Sequence, residues 1–217
     1  MVKVKICGNR STRDLNAARG AAGVGFIVST PESSRNIKVT TATRLIEEVR
    51  PFTSTVLVTT ETDQKVLGEL SRTKTDYLQL HSSLTGARIE EIANFVSDNT
   101  KLIALLKVDR STEKLKSRAR DLASSPAEAI LLDSAQDGQA GGTGKVHDWE
   151  VSRTIRDAIY PAPVILAGGL NPENVGEAIR KVRPYAVDVA TGVEKADHKS
   201  DQKAKRFLEE VNRSEVK

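Results

Sequence analysis

Short apolar runs rich in β-branched residues alternate along the chain with longer amphipathic stretches of Ala, Glu, Lys, Arg and Leu. The short runs are VKVKIC (2–7), VGFIV (24–28), STVLVT (54–59), YLQLH (77–81), KLIALLKV (101–108), AILLDS (129–134), PVILAGG (163–169) and AVDVATG (186–192). Several are almost continuously apolar, as strands covered on both faces are. The stretches between them carry helix signals. Ser11 or Thr12 caps 10–21, with Asp14 in its first turn. Pro51 stops 40–50. Ile89, Ile92, Ala93 and Val96 share one face of 84–97, and Pro126 follows 111–125, which has Ser111, Thr112 and Glu113 at its start. Further helices are expected at 147–159, at 171–182 and at 200–213, the second with Asn171 as cap and Pro172 at its first position. A short polar segment at 63–71 carries the weakest helical pattern.

Eight strands alternating with eight helices predict an α/β protein with a parallel sheet. An open doubly wound sheet and a closed (β/α)8 TIM barrel both fit. The count of eight, and a length near the ~200-residue lower bound for barrels, favour closure. No linker or low-complexity stretch divides the chain, so one TIM-barrel domain is expected over 1–213, with a frayed tail at 214–217.

Composition narrows the function. The chain has 217 residues, 38% hydrophobic and 29% charged, and a net charge of only +4 from 33 basic and 29 acidic residues. Aromatics are 4% and acids are interspersed nearly everywhere, which argues against the clustered basic surface that nucleic acid requires. One cysteine cannot form an intrachain disulfide, no secretory signal opens the sequence, and no apolar run approaches the ~20 residues of a membrane span. A soluble cytoplasmic protein with neither a membrane nor a nucleic-acid partner is the expectation.

In a barrel the C-terminal ends of the strands carry the chemistry. Glycine-bearing loops follow three successive strands: GGTG with Gly142, AGGL with Gly168 and Gly169, and ATGV with Thr191 and Gly192. Glycine lets a backbone approach an anion and aim its N–H groups at it, so these loops are candidates for phosphate; the alternative is ordinary turns. The GGTGK stretch is not a nucleotide-binding loop, because Gln139 stands where the first glycine should and Val146 follows the lysine. It sits in a long loop, 135–146, that could close over a substrate.

Asp133 ends a buried apolar strand, where a carboxylate is costly unless something uses it. It is a candidate general acid, or else a structural ion-pair member. Cys7 ends the first strand and is a candidate general base, or else a small inert core residue. Arg35, on the loop after the second strand, could hold a carboxylate through its fork, or be a solvated surface arginine. Gln79 and His81 alternate with leucines and point one way; His81 is a candidate site-lining residue. Asp188 reads as a structural polar group of a core layer. The three histidines, 81, 147 and 198, have no metal-ligand spacing, and no metal is expected.

These motifs stand in one order: KICG (5–8), PESSR (31–35), QLH (79–81), LLDS (131–134), GGTG (141–144) with DW at 148–149, LAGGLNPENV (166–175) and VDVATGVE (187–194). In that order, over essentially the whole chain, the sequence resembles the phosphoribosylanthranilate isomerases of tryptophan biosynthesis. It departs from them at Ser82, often Gly, at His147, often Phe, and at Ala190-Thr191, often Ser-Ser. The resemblance implies an Amadori rearrangement of N-(5-phosphoribosyl)anthranilate, with Cys7 as general base, Asp133 as general acid, Arg35 on the substrate carboxylate and the glycine loops on the phosphate. It implies no cofactor, a small-molecule substrate as partner, and a monomer or homodimer. The rivals are another sugar-phosphate aldose–ketose isomerase or epimerase on the same barrel, and a non-catalytic phosphate-ligand protein. On this reading Cys7→Ser and Asp133→Asn each lower kcat by about 10²–10⁴-fold with the fold intact. Steady-state kinetics and circular dichroism check this, and near-normal turnover in either variant removes that residue from its role.

Overall fold

The structure, a computed structural model, describes residues 1–109, 112–134 and 147–214. Eight strands form a ring: β1 (Lys3–Ile6), β2 (Gly23–Val28), β3 (Ser54–Thr59), β4 (Tyr77–Leu80), β5 (Lys101–Val108), β6 (Ala127–Ser134), β7 (Val164–Leu166) and β8 (Ala186–Val189). Each pairs parallel with its sequence neighbours, and β1 pairs with both β2 and β8, which closes the barrel. This is the α/β TIM barrel that the alternation predicts. The helices α1 (Thr12–Ala17), α2 (Val39–Glu47), α3 (Gln64–Ser71), α4 (Gly86–Ala93), α5 (Thr112–Ala123), α6 (Trp149–Ala158), α7 (Val175–Val182) and α8 (Asp201–Ser214) follow strands β1 to β8 in turn. Two small additions decorate the C-terminal end. Residues Asn36–Ile37 pair beside β2, and Glu194–Lys195 forms a short antiparallel pair with His198–Lys199. No described helix is long and apolar enough to cross a membrane.

Local chemistry explains where the helices begin. Ser11 Oγ accepts from the Asp14 amide at α1, Thr85 Oγ1 from Arg88 at α4, and an Asp148 carboxylate oxygen from Glu150 at α6. The short segment with the weakest pattern is a helix because Asp63 Oδ1 caps it, accepting from Lys65 and Val66. The expected start of α7 was too early. Asn171 Oδ1 does accept from the Glu173 and Asn174 amides, but this closes a separate turn, and the helix begins at Val175. At the other end of the chain α8 runs through Ser214, one residue into the expected tail; 215–217, like Ser111 at the start of α5, lie outside the described residues.

Strand alternation divides the core in two. Outward residues such as Phe26, Val28 and Leu57 pack beneath the helices. Inward ones, among them Val56, Val58, Ile103, Leu105, Leu131 and Ile165, fill the barrel. The last helix completes the outer layer: Ala204, Phe207 and Val211 lie on its buried face, and it packs against both α1 and α7. Phe207 is fully buried. Phe207→Ala is therefore expected to destabilise the protein by about 3–5 kcal/mol, read from the shift of the urea midpoint.

Candidate active site

The inward positions change character toward the C-terminal ends of the strands. There a cavity of about 230 Å³ opens, lined among others by Cys7, Arg35, His81, Asp133, Gly168, Gly169, Thr191 and Gly192. Apart from Gly142, which lies with the whole 135–146 loop outside the described residues, every candidate from the sequence borders this one space. A second cavity, of about 300 Å³, opens at the opposite end around Tyr77, Tyr185 and Phe52. Although larger, it has neither a thiol nor an imidazole among the described residues that line it.

Asp133 and His81 face each other, with Oδ2 and Nε2 3.7 Å apart. Burial pushes the Asp133 carboxyl up against the opposing pull of His81, and burial pushes His81 down. The result is a carboxyl that tends to keep its proton beside an imidazole that tends to stay neutral. The other oxygen, Oδ1, accepts from the Ser134 amide at 2.7 Å. Gly168, at φ +85°, is required by this arrangement: a Cβ there would lie 2.3 Å from Ser134 Oγ and 2.8 Å from Asp133 Oδ1. Behind them His147 bridges Ser134 Oγ at 3.1 Å and Ser152 Oγ at 2.5 Å, and its burial lowers its pKa to about 4.

Cys7 is 6% exposed, among Val56, Val58 and Ala167, yet it lines the same cavity as Asp133. Burial pushes its thiol up. Beneath it Lys5 and Asp188 form a buried ion pair, Nζ to Oδ2 2.8 Å. Asp188 is thus the paired polar group expected of a core layer, and it also reaches the cavity.

Arg35 lies across Gly8, where a Cβ would stand 2.6 Å from its Cδ. Its Nε and Nη2 donate to the two carboxylate oxygens of Glu194 at 2.8 and 2.6 Å. Lys199 Nζ donates to the same carboxylate at 2.6 Å. Burial disfavours the Glu194 anion, but the bonds from Arg35 and Lys199 outweigh this and hold it at about 2. Arg35 Nη2 also donates to Thr191 Oγ1 at 3.0 Å. The sequence reading put these two residues on opposite ends of a ligand; the structure joins them directly.

The loops after β7 and β8 interlock. A Cβ on Gly192 would meet Leu170 O at 2.0 Å, so only glycine permits this approach. Gly169, like Gly168, has a positive φ, +66°. The backbone N–H groups of Gly168, Gly169 and Leu170 have no acceptor among the described residues, and together they form an anion-ready rim. Three partners escaped the sequence reading: Lys5, Glu194 and Lys199. Lys5 had a signal, since alternation in VKVKIC points it the same way as Cys7. Glu194 stands in the VDVATGVE motif, but nothing local marks its charge, or that of Lys199, as buried.

A closed parallel barrel with a thiol, a carboxyl and glycine loops around one C-terminal cavity defines a TIM-barrel enzyme equipped for acid–base chemistry. The family profile described as N-(5'-phosphoribosyl)anthranilate (PRA) isomerase matches residues 4–210. The N-(5'-phosphoribosyl)anthranilate isomerase of Methanosarcina acetivorans is 40% identical, over 96% of this chain and 92% of its own. The phosphoribosyl anthranilate isomerase of Thermotoga maritima superposes with a TM-score of 0.84 at 33% identity, covering 98% of this chain and 99% of that one. A solved isomerase in complex with reduced 1-(o-carboxyphenylamino)-1-deoxyribulose 5-phosphate superposes with a TM-score of 0.80 at 31% identity, covering 98% and 99%. The chain belongs to the phosphoribosylanthranilate isomerase family.

The buried His147 gives this site a pH signature. The folded state resists protonating it, so below its ordinary pKa of 6.5 the unfolded chain binds more protons. Its contribution to stability is present above pH 6.5 and is lost as pH falls toward about 4. In His147→Phe the urea midpoint should fall less steeply across that window than in the wild type, whatever the absolute change in stability.

Proposed function

We propose that the chain converts N-(5-phosphoribosyl)anthranilate to 1-(2-carboxyphenylamino)-1-deoxyribulose 5-phosphate in the cytoplasm, with Asp133 as general acid and Cys7 as general base. One observation carries this reading: a single cavity is bordered by the only thiol, by a carboxyl whose pKa burial raises, and by loops with unengaged amides. Asp133 gives its proton to the furanose ring oxygen while the anilino nitrogen pushes its lone pair toward C1. The C1–O bond breaks and an iminium forms. Cys7, as thiolate, takes the proton from C2, and the electrons of that C–H bond form C1=C2 as those of the C=N bond return to nitrogen. Ketonisation then adds a proton at C1 and releases one from the 2-hydroxyl, so the proton count closes. The substrate's own nitrogen is the electron sink, and the reaction makes no demand for a cofactor.

Anchoring decides whether C2 reaches the thiolate, since a misplacement of about 1 Å can cost about 10²-fold. The amides of Gly168, Gly169 and Gly192 take the phosphate. Thr191 serves the same rim, its hydroxyl tied to Arg35. With Nε and Nη2 on Glu194, Arg35 offers Nη1 to the anthranilate carboxylate. His81 lines the cavity and keeps the Asp133 carboxyl in place. The test is the loss of phosphoribosylanthranilate fluorescence, with the substrate generated in situ. The wild type should consume it, and Arg35→Ala should mainly raise KM. No consumption overturns the reaction, and an unchanged KM removes Arg35 from the site.

A further inference from the structure

A thiolate formed at Cys7 has little water to stabilise it, because the side chain is 6% exposed and packed among aliphatic groups. It needs a counter-charge from the protein. The charged groups that face it are Lys5 on β1, Asp188 on β8, Lys199 beyond β8 and Arg35 on the loop after β2; His81 and Asp133 border the same cavity. Arg35 and Lys199 share the Glu194 carboxylate at 2.6 Å each, and Lys5 is paired with Asp188. Of the three cations, Lys5 is the one on the strand that ends in the thiol. It stands two residues before Cys7 on one strand, so both side chains enter the barrel. Residue 25 is glycine at the point where the two meet: a Cβ there would lie 2.9 Å from Cys7 Sγ and 3.1 Å from Lys5 Cε. Asp188 holds the ammonium at 2.8 Å, and the two side chains are 7% and 8% exposed.

We infer that Lys5 is the positioning residue for the base: held by Asp188, its ammonium donates to Cys7 Sγ and carries the counter-charge of the thiolate while the C2 proton is removed. This rests on Cys7 being the base. Lys5 acts through Cys7 and touches no reacting atom. The two members of the pair then have opposite effects on the thiol. Loss of the lysine leaves the thiolate facing Asp188 without compensation. Loss of the Asp188 charge frees the whole positive charge of Lys5 for the sulfur. What separates this role from that of a purely structural ion pair is that kcat follows the thiol titration.

The experiment follows the ultraviolet thiolate absorbance of the intact protein against pH, with Cys7→Ser as the blank that removes the tyrosine background; no other thiol contributes. Lys5→Met removes the cation. Lys5→Met/Asp188→Asn removes both charges and so avoids an uncompensated buried carboxylate if the single variant does not fold. The thiol should titrate at least one pH unit higher in the lysine variants, with kcat at neutral pH down about tenfold or more and recovering as pH rises. In Asp188→Asn the thiol should titrate lower than in the wild type. A folded double variant with the wild-type titration overturns the proposal, and so does a titration in Asp188→Asn that moves upward. A shifted titration with unchanged kcat overturns the assignment of Cys7 as the base, and the proposal with it.

Discussion

Strand β1 lies in register against β8, Lys5 opposite Asp188 and Ile6 opposite Val189, and this pairing closes a ring between segments more than 180 positions apart. Closure creates an interior that solvent does not fill, so a polar group that points inward must find a partner there or face the mouth. Many of the inward residues are aliphatic, and the polar ones among them include Lys5, Cys7, Gln79, Asp133 and Asp188. Each of the charged ones has an answer: Lys5 has Asp188, and Asp133 has His81 and the Ser134 amide. The chemistry of the site follows from how incomplete those answers are. Burial outweighs the pull of His81 on Asp133, which leaves a carboxyl suited to giving up a proton.

The same closure explains the second ionic knot. The loops after β2 and β8 are far apart in sequence but flank β1 in the ring, and Arg35, Glu194 and Lys199 join them through a doubly bonded guanidinium and a lysine whose side chain is almost wholly buried. This knot shapes the rim. It orients Arg35 across Gly8, draws Thr191 into contact with it, and ties the Lys199 backbone amide to Asp14 at the start of α1.

Much of this was legible in the sequence, and the reasons differ by residue. The eight strands showed because a fully covered strand must be apolar on both faces. Cys7 and Asp133 could be placed at one mouth because each ends its strand, and strand ends in a parallel barrel converge. The glycines showed because Gly168, Gly169 and Gly192 sit where positive φ or backbone contact permits nothing larger. What stayed hidden depends on partners distant in sequence. Arg35 reads as a free fork until Glu194 is seen beside it, and Lys5, though alternation points it the same way as Cys7, shows no partner until the ring closes. The start of α7 was misplaced because Asn-Pro signals a helix start, whereas here it serves a turn whose last residue, Asn174, binds back to Gly169 O.

The order of synthesis adds a consequence of the β1–β8 seam. The first strand of the ring is hydrogen-bonded on one side to β2, but its other edge pairs only with the last strand of the ring. At bacterial-to-eukaryotic ribosome speeds, that edge waits roughly 10–40 s for residue 189 to be added. During that interval β1 presents unpaired backbone to any neighbouring nascent chain. Lysines at positions 3 and 5, both in this strand, give the waiting edge a charge that discourages such pairing until Asp188 arrives to neutralise the inner one.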